Sequence, residues 1–154
     1  MTDPTPEQVV QRVRGGRLDC RTGILLLEVR QLGREKELAA RLNLDAVDYA
    51  EWRLNKTAPE QRFLGLTKET LVQELDEICL LKTPANALLL YNFDVGLAYL
   101  PYLERPYVWN FLRDSFRKRP KALVVAMPAA AEHLLPSKAE VVIWRSGERV
   151  TGVI

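Results

Sequence analysis

The chain is poor in the residues that build metal and redox sites. Its 154 residues include one histidine and two cysteines. His133 stands alone, so neither a zinc cluster nor a histidine pair has the ligands it needs. Cys20 and Cys79 have no CxxC-type spacing, which reads as two free thiols in a reducing compartment. An excess of one charge is also lacking. The 22 Lys and Arg against 20 Asp and Glu leave a net charge of +2, too little to argue for nucleic acid or membrane from composition. Long apolar runs are missing: those near 24–29 and 85–91 fall far short of the ~20 residues of a membrane span. The segment Met1–Glu7 is polar, carries Pro4 and Pro6, and has no apolar core of a signal peptide. No internal repeat or low-complexity tract is present. These absences lead to the expectation of a cytoplasmic protein that does not touch membrane.

What is present is ordinary globular composition, 47% hydrophobic and 27% charged, in a chain long enough for one domain over 1–154. Thr5 as N-cap, Pro6 and the stripe Val9, Val10, Val13 predict a helix over 5–14. The run Ile24–Val29 predicts a buried strand. Leu38, Ala39 and Leu42 predict a helix over 34–42 ending at Asn43. The alternation in 44–49 predicts a half-buried strand. Residues 51–66 read as a loop with one turn of helix. Leu71, Leu75, Ile78 and Cys79 predict a helix over 67–81. Ala87–Tyr91 reads as a central parallel strand, expected beside 24–29. A helix over 104–117, a strand over 121–127 and a short helix over 129–134 follow. The segments 140–144 and 149–154, joined through Ser146-Gly147, read as a small terminal hairpin. Strands alternate with helices, so the expected fold is a three-layer α/β sandwich with a mainly parallel, P-loop-like sheet and a short C-terminal hairpin.

The most informative stretch is Glu28-Val29-Arg30-Gln31-Leu32-Gly33-Arg34-Glu35. It sits between a strand and a helix, where a G-x-x-x-x-G-K-[ST] phosphate loop would lie. Such a loop encloses phosphates with backbone N–H groups, a lysine and a metal-binding hydroxyl. Here Gly33 keeps the second glycine. Glu28 replaces the first, Arg34 the lysine and Glu35 the Ser/Thr. Arg30 adds a further cation. A carboxylate at Glu35 suits the helix dipole but repels an anion. The same residues also spell a strand, a polar turn and a helix with an acidic first turn.

Two further positions of a hydrolytic site are altered. After Leu88-Leu89-Leu90, Tyr91 or Asn92 stands where a magnesium-holding aspartate belongs, and Asp94 comes two or three residues late. Met127-Pro128 offers no polar sensor at the end of the next strand. Three changes together argue against magnesium-dependent hydrolysis. If the degenerate site still takes ATP and magnesium, its residues are Arg30, Gly33, Arg34, Asn92 and Asp94. No catalytic residue and no resident metal is assigned.

A basic cluster, Arg113, Arg117, Lys118, Arg119 and Lys121, closes the 104–117 helix. Cations there complement the helix C-terminus. The functional alternative is sequence-independent phosphate contact on DNA. Tyr99-Leu100-Pro101-Tyr102-Leu103 is too apolar for a free loop, so it either packs on the core or forms a partner surface.

This layout over about residues 8–145, with Leu89-Leu90-Tyr91-Asn92-Phe93-Asp94, resembles the small AAA+-like P-loop protein of bacterial phage-exclusion (BREX) systems. That family tends to carry an apolar strand followed by Asp-Asn-apolar-Glu. In that register Tyr91 takes the aspartate position, Asn92 the asparagine and Asp94 the glutamate. Glu28, Arg34 and Glu35 depart from the family's phosphate loop. The resemblance implies a compact core without a helical lid, oligomerisation, and protein partners in a defence assembly. With the departures, it implies a pseudo-ATPase scaffold or adaptor. The alternatives are an atypical nucleoside triphosphatase and a small DNA-binding accessory module.

Overall fold

Apolar runs bounded by turn residues become the inner strands of one sheet in the computed structural model, which describes residues 3–15, 20–116 and 119–154. The strands are β1 (Thr22–Leu27), β2 (Asp45–Asp48), β3 (Ala87–Tyr91), β4 (Ala122–Pro128) and β5 (Val150–Val153). Their order is β2-β3-β4-β1-β5, and every pairing is parallel. Side chains alternate between the two faces, as a strand's period of two requires. Leu25, Leu27, Leu89, Tyr91, Val124 and Ala126 enter one core; Ile24, Leu88, Leu90, Leu123, Val125 and Met127 enter the other.

Two helices cover the first face, α1 (Pro6–Arg14) and α2 (Glu35–Arg41). The second face is covered by α3 (Tyr49–Lys56), α4 (Lys68–Cys79), α5 (Phe93–Tyr99), α6 (Arg105–Asn110) and α7 (Lys138–Ser146). The crossover from β1 to β2 runs one way across the sheet on the α2 face. The other three crossovers run the opposite way on the opposite face. Reversing both direction and face keeps one hand throughout, as the handedness rule for parallel connections demands. The coarse expectation of a three-layer α/β sandwich therefore holds. Among the described residues, no helix is long and apolar enough to cross a membrane.

Several local expectations are corrected. The terminal hairpin is absent: residues 138–146 form α7, and β5 joins the edge of the sheet parallel to β1. Ser137 caps α7 by accepting from the Glu140 N–H, so an N-cap and a close contact of Trp144 with the core outweigh the β-branched run Val141-Val142-Ile143. Residues 49–56, read as the end of a strand and a loop with one turn of helix, form the two-turn helix α3, capped by Asp48. A helix absent from the sequence reading, α5, follows β3. Its Gly96 lets Tyr49 approach, since a Cβ there would lie 2.7 Å from Tyr49 Cε2. The strand at 87–91 does not lie beside 24–29; β4 stands between them.

The helix expected over 104–117 divides into α6 and a π-helical turn, Phe111–Ser115, and its expected end at 117 lies outside the described residues. The Leu112 carbonyl at that turn accepts from Thr22 Oγ1 at 2.6 Å, and Arg149 reaches Leu112 and Arg113 carbonyls. Side chains thus take up carbonyls that a regular helix would bond internally. Arg149 also lies over Trp144 and donates to Thr22 O, so it fastens the start of β1 to the end of α7.

Candidate site at the carboxyl edge of the sheet

In open α/β sheets, ligands bind outside the carboxyl ends of the strands. Here that edge collects the segment after β1, the β2–α3 junction and the β3–α5 junction. It therefore carries all five residues expected of a degenerate nucleotide site, Arg30, Gly33 and Arg34 after β1 and Asn92 and Asp94 after β3. Because β4 intervenes, the ends of β1 and β3 are two strand spacings apart, roughly 10 Å.

The loop itself is closed by its own hydrogen bonds. From Glu28 it enters a 3-10 turn over Val29–Gln31, then reverses through Gly33 at φ +92°. Only a residue without a side chain adopts that φ readily. The N–H groups of Gln31, Leu32 and Arg34 donate to Glu28, Val29 and Gln31 carbonyls at 2.9, 3.1 and 3.0 Å. Those donors are committed within the loop, whereas a phosphate cradle needs successive N–H groups aimed at one point. Arg30 pairs with Glu28 at 2.8 Å on the surface. Arg34 occupies the N-cap position of α2 and contributes no side-chain cap. Glu35, the first residue of α2, is only 6% exposed. A carboxylate therefore stands where an anion would meet the helix.

The β3 end adds more negative charge. Asp48 pairs in register with Tyr91 and caps α3 through the Glu51 N–H at 3.2 Å. Tyr91 has its phenol pushed up by burial, with Asp48, Glu35 and Glu51 adding to the shift. Asn92 adopts a left-handed φ of +58° at the start of α5. That conformation is one that asparagine tolerates better than most residues. Asp94 lies in the first turn of α5. Its pKa is raised chiefly by burial, then by Asp48. Asp48, Glu51 and Glu35 thus join the edge as an acidic rim that the sequence reading did not assemble. The signal for part of it was there, in the spacing Asp48-x-x-Glu51 of a helix start. Among the described residues, no group of three or more His, Cys, Asp and Glu side chains is placed to hold a metal ion. At the end of β4, Met127 is buried in the second core and the Ala129 N–H donates to Leu27 O at 2.9 Å, which stitches the ends of β4 and β1 together.

A raised carboxyl pKa has a definite sign for stability. The folded state holds the Asp94 proton more tightly than the unfolded chain, so stability falls as pH rises from the ordinary value of 3.8 through the raised one. Asp94→Asn should therefore stabilise the fold at neutral pH, and the gain should vanish below about pH 4. Thermal melts across that pH range check both halves of the expectation.

The described members of the basic cluster, Arg113, Arg119 and Lys121, lie at the opposite, amino edge. Arg113 is ion-paired with Asp114 and Glu140. Arg119 pairs with Asp76 at 2.9 Å and lies over the Phe111 and Phe116 rings. Lys121 is buried, and its ammonium donates to Thr83 O and Ala85 O at 2.9 and 2.6 Å. Arg117 and Lys118 lie outside the described residues. Both cysteines are buried and unbridged, and burial pushes the Cys79 thiol up to about 12. His133 is exposed and adjoins Arg105 through its backbone carbonyl.

The fold and site together define an all-parallel α/β protein in which the segment after β1 is a self-bonded, acid-flanked turn. No protein-family model matches the chain, and no curated protein and no solved structure matches it significantly.

Proposed function

We propose that the chain is a P-loop-derived subunit that does not hydrolyse nucleotide and acts as a scaffold or adaptor in a bacterial anti-phage assembly. The observation that carries the first part is the loop after β1. Its Gln31, Leu32 and Arg34 N–H groups serve the loop's own carbonyls, and the buried Glu35 carboxylate stands at the helix start. The acidic rim of Asp48, Glu51 and Asp94 adds repulsion toward a triphosphate. The parallel sheet with strand-loop-helix units at β1 and β3 supports descent from a nucleotide-binding scaffold. The defence context rests on the resemblance over residues 8–145 and on Leu89–Asp94.

Calorimetry with ATP and magnesium, together with a phosphate-release assay, tests the reading. The expected result is no turnover above buffer. Turnover that disappears in Arg34→Ala, or in Asp94→Ala with the fold intact, would overturn it in favour of the atypical triphosphatase. DNA retained on a filter at low salt and lost as salt rises would favour the DNA-binding accessory role instead. Genes for a methyltransferase, a phosphatase-like protein and a large ATPase beside this one are the expected neighbourhood of a phage-exclusion assembly.

A further inference from the structure

The carboxyl edge of the sheet holds negative charge that the protein does not compensate. Elsewhere Glu7, Glu28, Asp76, Glu77 and Glu140 each sit in an ion pair. Among the described residues, no Lys, Arg or His pairs with Glu35, Asp48, Glu51 or Asp94. The cations closest in the chain do not help. Arg30 is held by Glu28, and Arg34 is exposed and makes no ion pair among the described residues. Glu35 nevertheless is only 6% exposed. A carboxylate buried to that degree ordinarily has a partner.

A phenol shares the edge. Tyr91 is 8% exposed, its side chain belongs to the core beneath α2, and among the described residues nothing hydrogen-bonds its hydroxyl. Buried tyrosine hydroxyls usually find a partner. This one faces the carboxylates. Asp48 pairs with Tyr91 in register, Glu35 opens the helix that covers it, and the charges of Asp48, Glu35 and Glu51 all act on it. The four carboxylates are strung out rather than gathered. Glu35 starts α2 on one face of the sheet, and Asp94 lies in α5 on the other. Asp48 and Glu51 stand between them at the β2–α3 junction, and Asp48 is the carboxylate whose charge reaches Asp94. Among the described residues no three of them converge to hold one metal ion. Negative charge spread in this way is matched by positive charge spread along a chain.

We propose that this edge binds an alkylamine with several ammonium groups, whose charges meet Glu35, Asp48, Glu51 and Asp94 and one of whose N–H groups donates to the Tyr91 hydroxyl oxygen. Ammonium groups separated by methylenes reach successive carboxylates, which a single metal ion cannot do. The methylenes themselves lie comfortably along apolar surface. A free polyamine and a run of lysine side chains carry the same chemistry. The inference goes beyond the pseudo-ATPase reading and holds whether or not nucleotide binds.

Calorimetric titration of the full chain with spermidine at low salt tests the proposal, with trilysine and magnesium chloride as parallel arms. The expected result is saturable amine binding that weakens as sodium chloride is raised. Glu35→Gln and Asp48→Asn should each weaken it by about fivefold, the effect of one charge lost at close range. Tyr91→Phe should weaken it in the same direction. Glu60→Gln, at an exposed position between α3 and α4, should leave it unchanged. Asparagine still caps α3, and neutralising an uncompensated carboxylate relieves repulsion, so these variants fold, which circular dichroism checks. Saturation by spermidine supports a free polyamine as the ligand, and saturation by trilysine alone supports a lysine-bearing protein segment. No saturable binding of either amine would overturn the proposal, as would binding that Glu35→Gln and Asp48→Asn both leave unchanged. Magnesium bound as tightly as spermidine would overturn it in favour of a metal site. ATP turnover would defeat the pseudo-ATPase reading and leave this result standing, so the two fail separately.

Discussion

Glu74→Ala is expected to destabilise the protein by about 3–5 kcal/mol, the range for removing one partner of a buried ion pair. Glu74 is buried in α4, and both its oxygens have partners on α3. One accepts from Tyr49 Oη at 2.8 Å, and the other takes the Arg53 guanidinium. Arg53 is also buried. Its Nε donates to Arg62 O at 2.7 Å, and its guanidinium lies over Phe63. Truncating Glu74 would leave a buried guanidinium with no carboxylate and a buried phenol with no acceptor. It would also loosen the 57–66 segment, because Arg53 anchors that segment through the Arg62 carbonyl. An apolar pair of similar volume, Arg53→Met with Glu74→Leu, should recover much of the loss. Denaturant titrations of the two variants check this. A double variant that loses as much stability as Glu74→Ala, or more, would overturn the expected recovery.

Trp109→Ala is expected to cost about 3–5 kcal/mol, as large-to-small changes of a buried Trp do. Its ring meets Phe93 of α5 and Trp144 of α7 edge-on, with centroids 6.3 and 6.2 Å apart. Its indole N–H donates to Leu134 O at 2.9 Å. One side chain on α6 therefore bonds the α5–α6–α7 layer together and satisfies a buried carbonyl. Urea unfolding should show a lower midpoint with the slope unchanged. Because α7 precedes the edge strand β5, hydrogen exchange should quicken at 138–153 in this variant more than in β3.

The features legible in the sequence share one property: their signal is local. Thr5 and Pro6 mark the start of α1, and Thr67 that of α4, by chemistry that acts within one turn. The runs at β1, β3 and β4 are short, apolar and bounded by turn residues, which suits strands covered on both faces. The segment 138–146 was not legible from its propensity. Val141, Val142 and Ile143 favour a strand, but Ser137 caps a helix and Trp144 has a hydrophobic pocket to fill. Gly96 likewise lowers the helical signal of α5, because the reason for a glycine there is the Tyr49 ring on another helix.

The same division runs through the candidate site. Residue identity by itself determined that segments 28–35 and 88–94 supply no lysine after Gly33, no hydroxyl at 35 and no carboxylate at 91 or 92. It also determined the α/β layering, through the alternation of short apolar runs with helical stripes. Only the tertiary structure decided that β4 separates the strands before those two segments, and that Asp48 and Glu51 join Glu35 and Asp94 at one edge. It alone decided that the loop after β1 closes on its own carbonyls. The physical reason is range. Capping, periodicity and charge are properties of neighbours in the chain, whereas strand order, shared burial and the direction of an N–H depend on which distant segments pack together.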